Sequence, residues 1–189
     1  MMCHSREANF ALAMHEWQLN HGDQLSRWER MGLVRTDPAS FTRGRRGNEP
    51  RPQPEQRAPV VTSLLPRSPE RLGRFAPAGD TGASLETRAR NYLGANCAHC
   101  HVVNGGGNSA INFDWLIPVE RMRTVGEPPQ HGDFGLADAR IVAPGAPERS
   151  VILQRVVMRG PGQMPPVGSR VPDSEGVRLL AEWIGSLRK

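Results

Sequence analysis

The sequence predicts a mainly α-helical protein, with a small helical unit in residues 1–35, a linker in residues 36–80 and a larger helical domain in residues 81–189. Three observations predict this organisation. Apolar residues recur at three-to-four spacing in several segments, which is the period of a helix buried on one face. Alternating patterns typical of strands are few. Prolines and arginines are concentrated between the two helical parts, which is a linker composition.

In the first part of the chain, the apolar pattern predicts two short helices in residues 4–33. Apolar side chains recur at helical spacing until Asn20-His21-Gly22-Asp23, a turn-forming run, interrupts them. The apolar positions are Phe10, Leu12, Ala13 and Trp17 before the interruption, and Leu25, Trp28, Met31 and Leu33 after it. We therefore expect a small helical unit rather than one continuous helix.

The linker carries the charge imbalance of the chain. The formal net charge is +5, and residues 41–75 alone hold eight arginines and three glutamates. A nucleic-acid-binding protein would present its basic residues on a folded face. Here they alternate with prolines, so we expect no nucleic-acid partner. The apolar residues Val60, Val61, Leu64 and Leu65 are expected to order part of this stretch.

In the larger domain, the sequence pattern predicts three helices. Ser84 is a candidate N-cap for a helix that runs directly into Cys97, Ser150 is a candidate cap for a second, and Pro172-Asp173-Ser174-Glu175 begins a third. Their apolar positions are Leu85, Ala89, Tyr92 and Leu93 in the first, Val151, Ile152, Leu153, Val156 and Val157 in the second, and Val177, Leu180, Ala181, Ile184 and Leu187, with Trp183 beside them, in the third.

The first of these helices ends in a C-x-x-C-H motif, Cys97-Ala98-His99-Cys100-His101. Two thiols on one turn can add to the two vinyl groups of a porphyrin, and the histidine that follows then lies under the iron as an axial ligand. The motif therefore predicts covalently bound haem c. Gly105-Gly106-Gly107, just after it, is expected to form a turn that lets the chain pass close to the porphyrin.

Other uses of two cysteines at this spacing are less consistent with the sequence. A thioredoxin-like redox motif requires a βαβ context that the flanking helix and glycines do not offer. A zinc site using Cys97, Cys100 and His99 or His101 would need a fourth ligand, usually from a second paired motif that the chain lacks. Chance spacing is the remaining alternative.

A methionine is expected as the sixth ligand of the iron. Met164 lies in Gly160-Pro161-Gly162-Gln163-Met164-Pro165-Pro166, where prolines restrict the backbone and would hold a thioether over the haem. The other downstream methionines are Met122 and Met158, and Met158 is expected to pack in the core. His131 is a rival ligand, and His99, inside the motif, is expected on the surface.

The start of the chain resembles an interrupted second motif. Met1-Met2-Cys3-His4 is what remains of C-x-x-C-H without its first cysteine, so Cys3 and His4 predict a truncated haem site and a possible second haem c. No membrane-spanning run of about 18 apolar residues and no signal-peptide pattern occur. Because haem attachment to such motifs takes place outside the bacterial cytoplasm, we expect a periplasmic or otherwise exported protein. Either its leader is missing here, or the chain is part of a larger exported protein.

Several stretches together resemble a family of bacterial dihaem c-type cytochromes, which occur alone or as C-terminal modules of exported sugar-dehydrogenase-like proteins. The stretches are 3–10, 17–20, 88–93, 96–101, 138–145 and 164–166. The resemblance implies a cytochrome c-like fold, thioethers at Cys97 and Cys100, His101 as proximal ligand and Met164 as distal ligand. It also implies His4 as proximal ligand of the first haem, with Cys3 as its remaining thioether.

The sequence therefore predicts a protein that carries single electrons between a periplasmic dehydrogenase and a respiratory acceptor. No convergent acid, base or nucleophile appears, so we expect no enzymatic activity of its own. The alternatives are an electron-accepting module of a larger dehydrogenase, a haem peroxidase and a zinc-binding adaptor. For the sixth ligand of the first haem the candidates are Met14, His15, His21 and Met31.

Overall fold

A computed structural model describes residues 15–36 and 64–188. The described residues up to Phe75 form one unit, and those from Ala76 onward form another. Helices dominate both, and the named strands in the described residues are one pair of two residues each, so the predicted mainly helical class is confirmed at that level. The three-part division stays a prediction, because most of residues 36–80 lies outside the described residues.

The smaller unit contains two helices separated where the sequence predicts. Helix α1 spans Glu16–Leu19 and α2 spans Gln24–Arg30. Strand β1, Arg35–Thr36, pairs in parallel with β2, Leu64–Leu65, and a 3₁₀ turn follows at Pro69–Arg71. The predicted apolar positions Phe10, Leu12 and Ala13 lie outside the described residues.

Asn20, in the turn between α1 and α2, ties this unit together. Its side chain is buried, and its amide nitrogen donates to the carbonyl oxygens of Pro69, Leu72 and Gly73 at 3.0, 3.1 and 3.3 Å. These bonds join segments about fifty residues apart. The residue predicted to interrupt the helices therefore also anchors the returning chain.

The larger unit contains the three predicted helices. Helix α3 spans Leu85–Asn96, α4 spans Val151–Val157 and α5 spans Ser174–Ser186, with 3₁₀ turns at Val119–Arg121 and Pro147–Arg149. The Ser84 hydroxyl accepts from the Thr87 amide at 3.1 Å, as an N-cap should. Asp173 caps α5 by accepting from the amides of Glu175 and Gly176.

Ser150 precedes α4, but its side chain does not cap the helix as predicted. Its buried hydroxyl accepts from the Ala143 amide at 2.9 Å and donates to the Ala146 carbonyl at 3.1 Å. The hydroxyl is used by the preceding loop because that loop is buried and its polar groups need partners. The predicted cap is wrong, although the helix begins where expected.

Helix α3 packs on α5 through a close contact between Tyr92 and Gly176. A Cβ atom added to Gly176 would lie 2.2 Å from the tyrosine Cζ atom, so only glycine fits under the ring. Trp183, predicted beside the apolar face of α5, lies in the core and is only 1% exposed. Other fully enclosed core side chains are Leu93, Met122, Val142, Leu180 and Ile184.

The segment before α3 is also bonded to that helix. The Ala76 amide donates to Oδ1 of the buried Asn91 at 2.9 Å. The Arg88 guanidinium donates to the Ala78 carbonyl at 2.8 Å. Residues 76–80, which the sequence assigns to the linker, therefore supply hydrogen-bond partners to the first helix of the larger unit.

Candidate functional site

The C-x-x-C-H motif forms one further turn at the end of α3. The Cys97 amide donates to the Leu93 carbonyl at 2.8 Å and closes the helix. The amides of Cys100 and His101 both donate to the Cys97 carbonyl, at 3.1 and 2.9 Å. Residues four positions apart in a helical turn lie on the same face. Cys97 and His101 are therefore presented together.

A cavity of about 290 Å³, partly open to solvent, lies against this turn. Cys97 and His101 line it, and so does Met164 from the distant proline-rich loop. Most of the remaining wall is apolar, with Ile111, Phe113, Ile141, Ile152 and Val156 among the lining residues. Its volume is close to the lower end of the range for small-molecule sites, about 300 to 1,000 Å³. Cys100 is half-buried and is not part of the lining.

The His101 ring is held with one nitrogen turned toward the glycine-rich turn. Its Nδ1 is buried without a hydrogen-bond partner, and a Cβ atom on Gly107 would lie 2.7 Å from it. The ring packs edge-on against Phe113, with 5.9 Å between centroids, and the Phe113 amide donates to the His101 carbonyl at 2.8 Å. Because Nδ1 faces the turn, Nε2 is the nitrogen left for a ligand in the cavity.

Burial determines the ionisation of both groups at this turn. It lowers the pKa of His101, and the charges of His99 and Arg155 lower it further, which favours the neutral imidazole that binds metal ions. Burial, with a smaller contribution from Cys100, raises the pKa of the Cys97 thiol to about 12. At neutral pH Cys97 is therefore a protonated thiol.

The predicted distal methionine lines the cavity, and the other downstream methionines do not. The Met164 amide donates to the Arg155 carbonyl at 2.8 Å, which fixes the loop against the end of α4. Met158 ends α4 and Met122 is buried in the core, and neither lines the cavity. The predicted core position of Met158 is wrong in part, because the side chain is only half-buried.

Of the two other histidines in the larger unit, His131 lines the cavity and His99 does not. His131 lines the cavity from an exposed position, and its Nε2 lies 2.6 Å from the Asn108 carbonyl. Since a carbonyl only accepts, that nitrogen carries the hydrogen in this arrangement and is not a lone-pair donor. His99 is half-buried rather than exposed as predicted, and burial lowers its pKa. It does not line the cavity.

Arg155 is a cavity residue that the sequence analysis missed. Its guanidinium donates to the Gly162 carbonyl at 2.9 Å and to the His131 carbonyl, and it lies 4.9 Å from the centre of the Phe134 ring. Burial lowers its pKa. A signal was available, because Arg155 is the charged residue in the otherwise uncharged helix VILQRVV.

The predicted first haem site falls mostly outside the described residues, which do not include Cys3, His4 or Met14. Of the other candidates for its sixth ligand, His21 and Met31 are exposed, and Met31 is 64% accessible. The His15 Nδ1 accepts from the Trp17 amide at 3.2 Å and so caps α1. The first site stays a prediction.

The chemistry of the cavity fits haem c. A thiol, an imidazole nitrogen and a thioether are the groups that attach and ligate such a haem, and all three line one apolar space. Within residues 15–36 and 64–188, no three or more His, Cys, Asp or Glu side chains are grouped to hold a bare metal ion. Haem does not need such a group, because the porphyrin supplies four of the iron ligands.

None of the helices among the described residues has the length and apolar character to cross a membrane. In comparisons with known proteins, no family model, no curated protein and no solved structure matches the chain. The assignment of the site therefore rests on the motif, the proline-rich loop and the cavity that both of them line.

Proposed function

We propose that this protein is a c-type cytochrome that carries single electrons through a haem c bound in the cavity. Cys97 and Cys100 would form the thioethers, His101 Nε2 would be the proximal ligand and Met164 Sδ the distal ligand. One observation carries the proposal: Cys97, His101 and Met164, which the sequence predicts for three different roles around one haem, line the same mainly apolar cavity.

When bound, haem supplies an iron that accepts and releases one electron between its ferric and ferrous states. The residues of the chain provide attachment, ligation and a low-dielectric wall. Cys97 and Cys100 would each hold the haem through a thioether, with sulfur bonded to one vinyl carbon and the thiol hydrogen carried by the other. Atoms and electrons balance without an oxidant, which agrees with Cys97 being a protonated thiol. Met164 as sixth ligand would favour the reduced state.

The proposed partners follow from the resemblance to dihaem cytochromes. We propose that electrons come from a periplasmic or otherwise exported dehydrogenase and pass to a respiratory acceptor. We propose no catalytic reaction for the chain itself. A second haem c, held by Cys3 and His4, belongs to the same proposal and depends on a motif whose first cysteine is absent from the sequence.

The attachment is tested by producing the chain with an export leader and the haem-maturation machinery. Covalent haem is measured by mass after denaturation, and the number of thioethers is measured by the absorption spectrum of the pyridine complex of the ferrous haem. We expect covalent haem in the natural sequence, one thioether fewer in Cys97→Ala and in Cys100→Ala, and none at this motif when both are replaced. Colourless protein, or protein containing stoichiometric zinc instead, would contradict the proposal. Adding a cysteine before Met1 should raise the haem count from one to two.

The distal ligand is tested with a matched pair of methionines. Met164→Leu should abolish the absorption band of the sulfur–iron bond in the oxidised protein, whereas Met158→Leu should leave it unchanged. Both substitutions keep the volume of a half-buried side chain, and the two residues lie in adjoining segments. If Met164→Leu left the spectrum unchanged, the distal assignment would be wrong. A five-coordinate iron would then favour a haem peroxidase, and a six-coordinate iron would have another residue as its ligand.

A further inference from the structure

We infer that Arg155 is a positioning residue for Met164, holding the loop that carries the thioether at the cavity. The inference rests on the proposed function, because it concerns the distal side of the same site. It assigns to Arg155 a role that neither the motif nor the resemblance indicates.

The loop is bonded to Arg155 at two points. The Arg155 carbonyl accepts from the Met164 amide at 2.8 Å, and the Arg155 guanidinium donates to the Gly162 carbonyl at 2.9 Å. The first bond involves only backbone atoms, so it remains when the Arg155 side chain is replaced. The second depends on the side chain, and it fixes the loop two residues before the thioether.

The same guanidinium joins a second loop to the first. It donates to the His131 carbonyl and lies on the face of Phe134, 4.9 Å from the ring centre. Phe134 in turn packs against Gly162, where an added Cβ atom would lie 3.3 Å from the ring. Met164 and His131 both line the cavity, so the guanidinium connects two parts of its wall.

This arrangement requires arginine rather than any cation. The guanidinium is a planar fork that donates in two directions while its face stacks on an aromatic ring, whereas a lysine ammonium is a point charge on a flexible stem. Arg155→Lys therefore keeps the positive charge and loses the fork. Arg155→Gln loses both.

Loosening the loop should let an added ligand displace Met164 more readily. We expect imidazole to bind the oxidised haem about tenfold more tightly in Arg155→Gln, which corresponds to about 1.4 kcal/mol of lost loop stabilisation. Arg155→Lys should show the same direction of change, because the fork is lost. The band of the sulfur–iron bond should weaken in both variants. Arg178→Gln is the charge control, since Arg178 is exposed on α5 and forms a surface ion pair with Glu182 at 3.9 Å.

A double-mutant cycle separates positioning from a general effect on the fold. In a Met164→Ala background there is no thioether to position, so adding Arg155→Gln should leave imidazole affinity unchanged. A further tenfold gain in that background would overturn the inference, and so would wild-type affinity in Arg155→Lys. If Arg155→Gln does not fold, the Lys variant and its own cycle decide the question.

Covalent haem content is measured first in every variant. Absence of haem from the natural sequence would refute the proposed function. Haem present in all variants, with imidazole affinity and absorption band unchanged by either Arg155 substitution, would refute the positioning role alone.

Discussion

Replacing Gly176 by alanine tests the contact that orients the motif-bearing helix α3. The added Cβ atom would lie 2.2 to 2.3 Å from Cζ, Oη and Cε2 of Tyr92, far inside ordinary van der Waals distance. Either the ring must swing away or α3 must shift on α5. Gly185, in the same helix, is the matched control, because a Cβ atom there meets Pro147 at an ordinary 3.7 Å.

The expected magnitudes follow from two opposing effects. Alanine is favoured over glycine within a helix by about 0.5 to 1 kcal/mol, and both variants gain up to this amount. Overpacking a filled site costs about 1 to 3 kcal/mol, and only Gly176→Ala incurs it. We therefore expect Gly185→Ala to raise the free energy of unfolding. The free energy of unfolding of Gly176→Ala should be about 1 to 3 kcal/mol lower than that of Gly185→Ala.

Urea unfolding followed by far-ultraviolet circular dichroism measures this difference. With a urea m-value of about 1 to 3 kcal/mol per molar, the two midpoints should differ by about 1 M. Replacing Tyr92 by leucine removes the ring, so in that background Gly176→Ala should become as favourable as Gly185→Ala. Equal midpoints for the two alanine variants in the natural background would refute the reasoning.

Three further predictions concern single side chains. Burial, and then the Asp173 carboxylate, raise the pKa of Tyr92, the single tyrosine of the chain, so its ultraviolet titration should begin well above pH 10. The folded state favours the neutral phenol, so this contribution to stability is complete below about pH 10 and is lost as the pH rises further; Tyr92→Phe should remove that slope. Gly107→Ala should displace the His101 ring and lower the haem content or alter the absorption spectrum of the oxidised protein, and an unchanged spectrum at full haem content would contradict the geometry. Ser150→Ala should destabilise the fold by about 1 to 3 kcal/mol by leaving the buried Ala143 amide without a partner, whereas Ser186→Ala, at an exposed position, should change stability by less than about 0.5 kcal/mol in chemical denaturation.

The helices were predictable because their signals are local. Ser84 and Asp173 cap within three residues, and the apolar period identifies the buried face without knowledge of what covers it. The position of Met164 in a loop was predictable because the prolines around it restrict the backbone whatever its surroundings. These features depend on neighbours in the sequence.

The features that the sequence did not predict depend on distant partners. The Ser150 hydroxyl could bond to its own helix or to the loop before it. It bonds to the loop, because the backbone groups of the loop are buried. Arg155 makes its side-chain contacts only when residues 131–134 and 160–164 come together around it. Trp183, predicted beside the apolar face of α5, lies in a core cluster to which α3, α4 and α5 all contribute.

The hydrogen bonds that Ala76 and Ala78 make with α3 determine where the chain can be divided. A fragment beginning at residue 81, the predicted domain boundary, would lose the donor to the buried Asn91 and the acceptor of Arg88. A fragment beginning at Ala76 would keep both hydrogen bonds, and would start at the boundary between the two compact units. Dissection of the protein for isotope labelling or crystallisation should therefore place the cut between Phe75 and Ala76.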